Sequence, residues 1–165
     1  MSETADAGPG PLYSERRVIL AQVMLPADAN PSGDVHGGTL MKLADTAGGI
    51  AAVRHAKRRV VTAIADSMTF EYPVKVGDLV LIDAQVSWVG RTSLEVEVSI
   101  FAEKVLSGER RRTSLAYFVF VALGDDGRPH EMPPLELRTE ADRIRFARAE
   151  DRRRFRLAQR GHPAS

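Results

Sequence analysis

Cysteine is absent from the 165 residues. That absence excludes disulfides, thiolate metal sites and cysteine nucleophiles together, and it makes the chain indifferent to redox compartment. No apolar run approaches the roughly 20 residues of a membrane-spanning helix. The opening MSETADAGPGP has neither the basic nor the apolar region of a signal peptide, so the sequence predicts a cytoplasmic protein with no membrane partner. Net charge is nearly missing too: 23 basic against 22 acidic residues leave +1, which argues against a chain built as a whole to bind nucleic acid. HExxH, P-loop, GxSxG and dinucleotide signatures are not found, and no metal site is expected. Asparagine occurs once, at Asn30.

The most informative stretch is Asn30 to Gly49, NPSGDVHGGTLMKLADTAGG. Pro31 fixes its own φ and pushes Asn30 into extended geometry, Gly33 permits a turn, and Gly37 and Gly38 end the loop. From Thr39 to His55 the spacing predicts a helix, with Leu40, Leu43, Ala44, Ala47, Ile50 and Ala51 on one broad face of mostly small residues. Gly48 and Gly49 inside that helix each cost roughly 1 kcal/mol relative to Ala. A close approach by another backbone or a ligand would explain them. Asp45 borders the same face, either as a hydrogen-bonded carboxylate at the rim of the core or as a catalytic group.

Strands are predicted over Arg17 to Leu25, Val60 to Phe70, Leu79 to Val89, Leu94 to Ala102 and Thr113 to Leu123. Alternation places Val60, Thr62, Ile64, Asp66, Met68 and Phe70 on one face of the second strand. In the third it groups Val86 and Trp88 opposite Asp83, Gln85 and Ser87, and in the fourth it turns Glu95, Glu97 and Ser99 to water. The last strand is apolar on both faces, as expected for one buried on both sides. From Thr139 to Gln159 the pattern is helical again, with Thr139 as cap. Arg138 to Arg160 holds nine Arg against four acids, a net of +5 that leaves −4 for the rest of the chain. The order predicts an α+β fold: a twisted antiparallel sheet curled around a central small-residue helix, plus a basic C-terminal helix. Residues 1–14 read as a disordered leader, 15–137 as the domain and 138–165 as the basic helix and tail. One helix cannot cover both sheet faces, and self-association is the economical way to cover what remains.

Several pieces in this order and spacing resemble the hotdog-fold acyl-CoA thioesterases, in the branch of the bacterial broad-specificity and brain-type cytosolic acyl-CoA hydrolases. They are Asn30, VHGGTLMKLAD (35–45), AGGIAAVRHAK (47–57), VVTAIADSMTF (60–70), PVKVGD (73–78) and GRTSLEVEV (90–98). The resemblance covers about residues 17–160. It implies a hotdog fold and hydrolysis of acyl-CoA to free CoA and a carboxylic acid, with no metal or covalent cofactor. It also implies that Asn30 and Asp45 act as a catalytic pair contributed by opposite protomers of a homodimer, three of which often form a hexamer.

The chemistry reads the same way from the residues. Thioester hydrolysis needs an activated water and a place for the oxyanion. Asp45 is the candidate base or nucleophile, and Gly38, together with Gly37, offers N–H groups at the helix start. The Asn30 amide can orient either water or carbonyl. His36 is a rival base, read by preference as a loop residue under the helix start and grouped with Gly37 and Thr62 among the substrate contacts. Arg91, Thr92 and Ser93 form either a polar hairpin turn or a contact to the CoA nucleotide, to which the basic C-terminal helix also contributes on this reading. The alternative function is a non-catalytic acyl-CoA-binding or sensing protein on the same fold.

Overall fold

The computed structural model describes residues 17–161, so the leader expected over 1–14 lies outside the described part. Strand β1 (Arg17–Val23) leads into helix α1 (Gly37–Ala56). Strands β2 (Val60–Phe70), β3 (Leu79–Val89), β4 (Ser93–Lys104) and β5 (Glu109–Ala122) follow, and helix α2 (Glu140–Arg160) comes last. All strand pairs are antiparallel, in the order β1-β3-β4-β5-β2, and the sheet curls around α1 as a hotdog fold. β1 and β2 are the edges. β1 therefore fully buries only Val18, although its sequence is apolar on both sides.

α1 touches all five strands because the residues it turns to them are small. Ala44, Ala47, Ala51 and Ala52 are completely buried against Val80, Ile82, Val98 and Phe120. A Cβ at Gly48 would stand 3.2 Å from two ring atoms of Phe120, so the close approach that this glycine implies is to an aromatic ring of β5. The helix also begins two residues earlier than its apolar pattern. Gly37 and Gly38 form its first turn instead of ending the loop, and His36 is the N-cap. At the other end Lys57 closes it in the left-handed conformation, its N–H bonded to the Val53 carbonyl.

Bulges correct three side-chain placements, since one extra residue turns all that follow to the other face. Register shifts in β2 between Thr62 and Ile64 and between Ala65 and Ser67 leave Thr62 opposite Phe120 on the helix side, whereas Ile64 lies opposite Val119 on the outer side. Asp66 also meets the outer helix, through Arg156. In β3 a shift between Val86 and Trp88 pairs Trp88 with Glu95, so the indole faces outward and not with Val86. Its ring covers Gly90, where a Cβ would come within 2.3 Å of it.

The outer face is not left to water. α2 starts with Thr139 and Asp142 capping each other's backbone N–H, and it lies against that face. Glu95, expected to be exposed, has no exposed surface at all. Its carboxylate accepts from Arg152 (2.6 Å), Arg156 (3.0 Å) and the Ser87 hydroxyl (2.8 Å). Arg156 also bonds Asp66 at 2.8 Å, and Arg152 stacks over the Tyr117 ring at 3.7 Å. Burial, and then the nearby Glu97 carboxylate, push the Tyr117 phenol above its ordinary pKa.

Candidate active site

Asp45 sits mid-way along α1, half-buried, where the helix passes the start of β2. The Thr62 hydroxyl donates to Asp45 Oδ1 at 2.7 Å, while Oδ2 has no hydrogen-bond partner among the described residues. One carboxylate oxygen is thus fixed and the other is open. The first bulge of β2 comes immediately after Thr62, so this contact is still in the inward register. From Asp45 a groove of about 420 Å³ runs along α1, past Gly49, Ile50 and Val53 to Arg54, with Val60 and Phe120 as its other wall. A polar pair at one end of an apolar trough suits a ligand with a reactive polar centre on a flexible arm.

Asn30 lies in the loop before α1. Its Oδ1 accepts from the backbone N–H groups of Ser32 (2.9 Å) and Asp34 (3.2 Å). The oxygen side of the amide is therefore occupied, and the NH₂ side has no partner among the described residues. This narrows the role open to Asn30, because its amide can donate outward but not accept. Within one protomer Asn30 and Asp45 share neither a hydrogen bond nor a bonding partner.

At the helix start the Gly38 N–H donates to His36 Nδ1 over 3.3 Å, and the Gly37 N–H has no acceptor among the described residues. His36 is thus tied to capping α1. Of the two glycines, Gly37 has the disengaged donor, and the Phe70 ring lies where its side chain would be. Among the described residues no three His, Asp or Glu side chains are grouped to hold a metal ion, and no helix is long and apolar enough to cross a membrane.

Residues 32–109 match the family model described as the thioesterase superfamily. An acyl-CoA thioester hydrolase of Zymomonas mobilis, itself described as uncharacterized, is 39% identical over 125 residues, which span 76% of this chain and 84% of the relative. The chain belongs to the thioesterase superfamily. Among solved structures, this thioesterase is similar to an acyl-CoA hydrolase from Staphylococcus aureus in complex with butyryl coenzyme A, coenzyme A and coenzyme A disulfide. The two are 34% identical with a TM-score of 0.83, over 88% of this chain and 89% of the other. Variants of that hydrolase with an aspartate, an asparagine or a threonine changed to alanine have also been solved. An apo-hexameric acyl-CoA thioesterase is 32% identical with a TM-score of 0.85, over 89% of this chain and 94% of the other.

Arg91 and Thr92 occupy the β3–β4 turn of the thioesterase and Ser93 begins β4, and all three are bonded through their backbone carbonyls, to the N–H groups of Met132, Ala122 and Gly90. The Arg91 side chain is exposed and reaches Glu131 at 3.3 Å. The structure does not bring these residues into contact with Asp45 or Asn30. Sequence reasoning missed the bond from Thr62 to Asp45, although a lone hydroxyl on an otherwise apolar inward position was the available signal. The groove walls Ile50, Val53 and Phe120 gave no such signal, because apolar residues in a helix and a buried strand look like core.

Proposed function

We propose that the protein hydrolyses the thioester of an acyl-CoA, giving free CoA and a carboxylic acid. The observation that carries the reading is the Asp45–Thr62 pair at the head of an apolar groove. Asp45 Oδ2 takes a proton from water as the water oxygen attacks the thioester carbonyl carbon. The oxyanion that forms is held by the N–H of Gly37 at the positive end of α1 in the protomer that supplies Asn30, because Gly37 and Asp45 of one helix stand about 12 Å apart along its axis. Collapse breaks the carbon–sulfur bond, and the CoA thiolate leaves with the proton that Asp45 had taken. Asn30 donates its amide N–H to the water or to the carbonyl. The base and the donors are all groups of the chain, so this reading includes no metal or cofactor. Support comes from the Staphylococcus aureus hydrolase, whose alanine-substituted residues have the same spacing as Asn30, Asp45 and Thr62 here.

On this reading the working unit is a homodimer in which Asn30 of one protomer faces Asp45 of the other, and three dimers form a hexamer. In support, Asn30 and Asp45 are unconnected within a protomer, the β2 edge is unpaired and displays Val61 and Phe70, and a similar thioesterase is hexameric. We place the protein in the cytoplasm, in line with a mouse relative named as cytosolic, 37% of whose length this chain covers. The test is free-thiol release from a panel of acyl-CoAs by the purified protein. Release from none of them, with CoA still bound, would overturn hydrolysis in favour of an acyl-CoA sensor. Sedimentation as a monomer at micromolar concentration would overturn the shared site.

A further inference from the structure

The nine arginines between Arg138 and Arg160 suggest that phosphate binding belongs to α2. The ion pairs say otherwise. Arg145, Arg152 and Arg156 are bound to Glu97, Glu95 and Asp66 of the sheet, and Arg143 and Arg154 to acids of the helix itself. At the junction of α1 and β2 the balance is reversed. Lys57, Arg58 and Arg59 make no ion pair among the described residues, and Arg54 makes only a 3.4 Å bond to the Arg17 carbonyl. The Arg58 Nε is buried with no acceptor among the described residues. Four full positive charges so placed outweigh the roughly half negative charge at a helix C-terminus.

This corner lies at the far end of the groove from Asp45. Arg54 borders both the groove and a second hollow of about 390 Å³, whose walls include Lys57 and Arg138, the latter paired with Glu136. Beyond Lys57 a third hollow, of about 570 Å³, is lined by Lys57, Arg58 and Arg59 with Asp125 as its one acid. At about 1.5 Å per helical residue, Arg54 and Lys57 lie roughly 14 and 18 Å along α1 from Asp45. The pantetheine arm, from thioester sulfur to diphosphate, has about thirteen bonds and reaches roughly 15 Å at the span per bond of an extended peptide.

We propose that the diphosphate and 3′-phosphate of the substrate sit on the cationic corner formed by Arg54, Lys57, Arg58 and Arg59, with the pantetheine arm lying in the groove from Asp45. The assignment rests on the acyl-CoA reading above and adds the direction in which the substrate lies. The acyl chain then leaves Asp45 away from the corner.

The test compares wild type with Arg54→Gln/Lys57→Gln/Arg59→Gln on one acyl-CoA and on the matching acyl-pantetheine thioester. KM for acyl-CoA should rise about tenfold or more with kcat little changed, as expected when charge-assisted phosphate contacts made equally in ground and transition states are lost. KM for acyl-pantetheine should stay the same, and Arg148→Gln/Arg160→Gln on α2 should alter neither. An unchanged KM for acyl-CoA, or an equal rise for both thioesters, overturns the assignment. Should the triple variant fail to fold, Lys57→Gln alone carries the same comparison with a smaller rise. If wild type cleaves neither thioester, the hydrolase reading falls, and calorimetry with 3′,5′-ADP decides the corner by itself. Binding that weakens about tenfold in the variant upholds it, and equal or absent binding overturns it.

Discussion

Where α1 meets the sheet, the contact is made by alanines and a leucine against valines, isoleucines and phenylalanines, with no charge between them. Where α2 meets the same sheet from the other side, the centre of the contact is a fully buried glutamate gripped by two arginines. The first kind of contact stabilises by about 0.8 kcal/mol per buried CH₂ and depends little on salt. The second gains little net free energy, because the cost of desolvating three charges offsets most of their attraction, but it is exacting about position. The helix with the proposed base is the one held by packing. The helix with most of the arginines uses three of them to hold itself against the sheet.

The sharpest way to break this contrast is to change a carboxylate on each side. Asp45→Asn keeps the shape and removes the proposed base, so kcat should fall by about 100-fold or more with KM little altered, measured by thiol release. Asn30→Ala should lower kcat less. Mixing the two variants and letting subunits exchange should restore roughly a quarter of wild-type activity, since half the dimers become mixed and each then has one intact site of two. An exchanged mixture that stays inactive would place both residues in one protomer. On the other face, Glu95→Gln removes the partner of two largely buried guanidinium groups and should cost about 3 kcal/mol in denaturant titration, while kcat of the folded protein is kept. A loss of kcat like that of Asp45→Asn would erase the distinction between the faces.

Smaller changes sharpen it. Gly48→Ala drives a methyl into the Phe120 ring and should destabilise by about 1 kcal/mol net of the gain in helix propensity. At Gly49 the same methyl finds Phe120 at an ordinary 3.8 Å but projects into the groove. Gly49→Ala should therefore raise stability by up to about 1 kcal/mol and raise KM. The smallest effect concerns alkaline pH. Because Tyr117 holds its proton more tightly folded than unfolded, its contribution to stability is complete below the ordinary value of 10.0 and is lost as pH rises through the higher folded value. Tyr117→Phe should flatten the stability profile above pH 10, read from urea midpoints.

The order of elements, the curled sheet and the small-residue face of α1 were legible in the sequence because each rests on a local period. Thr139 as a cap was legible for the same reason. Ile64, Asp66 and Trp88 were misplaced because a bulge is one residue in length and leaves no mark on composition. Glu95 read as exposed because an alternating strand does not say that a helix some 50 residues later will cover it. Asp45 and Asn30 stood out as an acid beside an apolar helix face and as a unique amide before proline. Which cations stay unpaired could not be read at all, since it depends on where the acids of the sheet meet α2.

Lys57 carries a consequence for selection. It closes α1 with a φ of 55°, a conformation that glycine adopts freely and that costs a residue with a Cβ about 1 kcal/mol. Selection for stability alone would drive this position to glycine, and Lys57→Gly should make the protein harder to unfold. The same replacement removes one of the four cations at the groove's far end that make no ion pair among the described residues. A lineage adapting to heat could take that step only where weaker capture of its substrate does no harm, so the residue at this turn records which of the two demands has been the stronger.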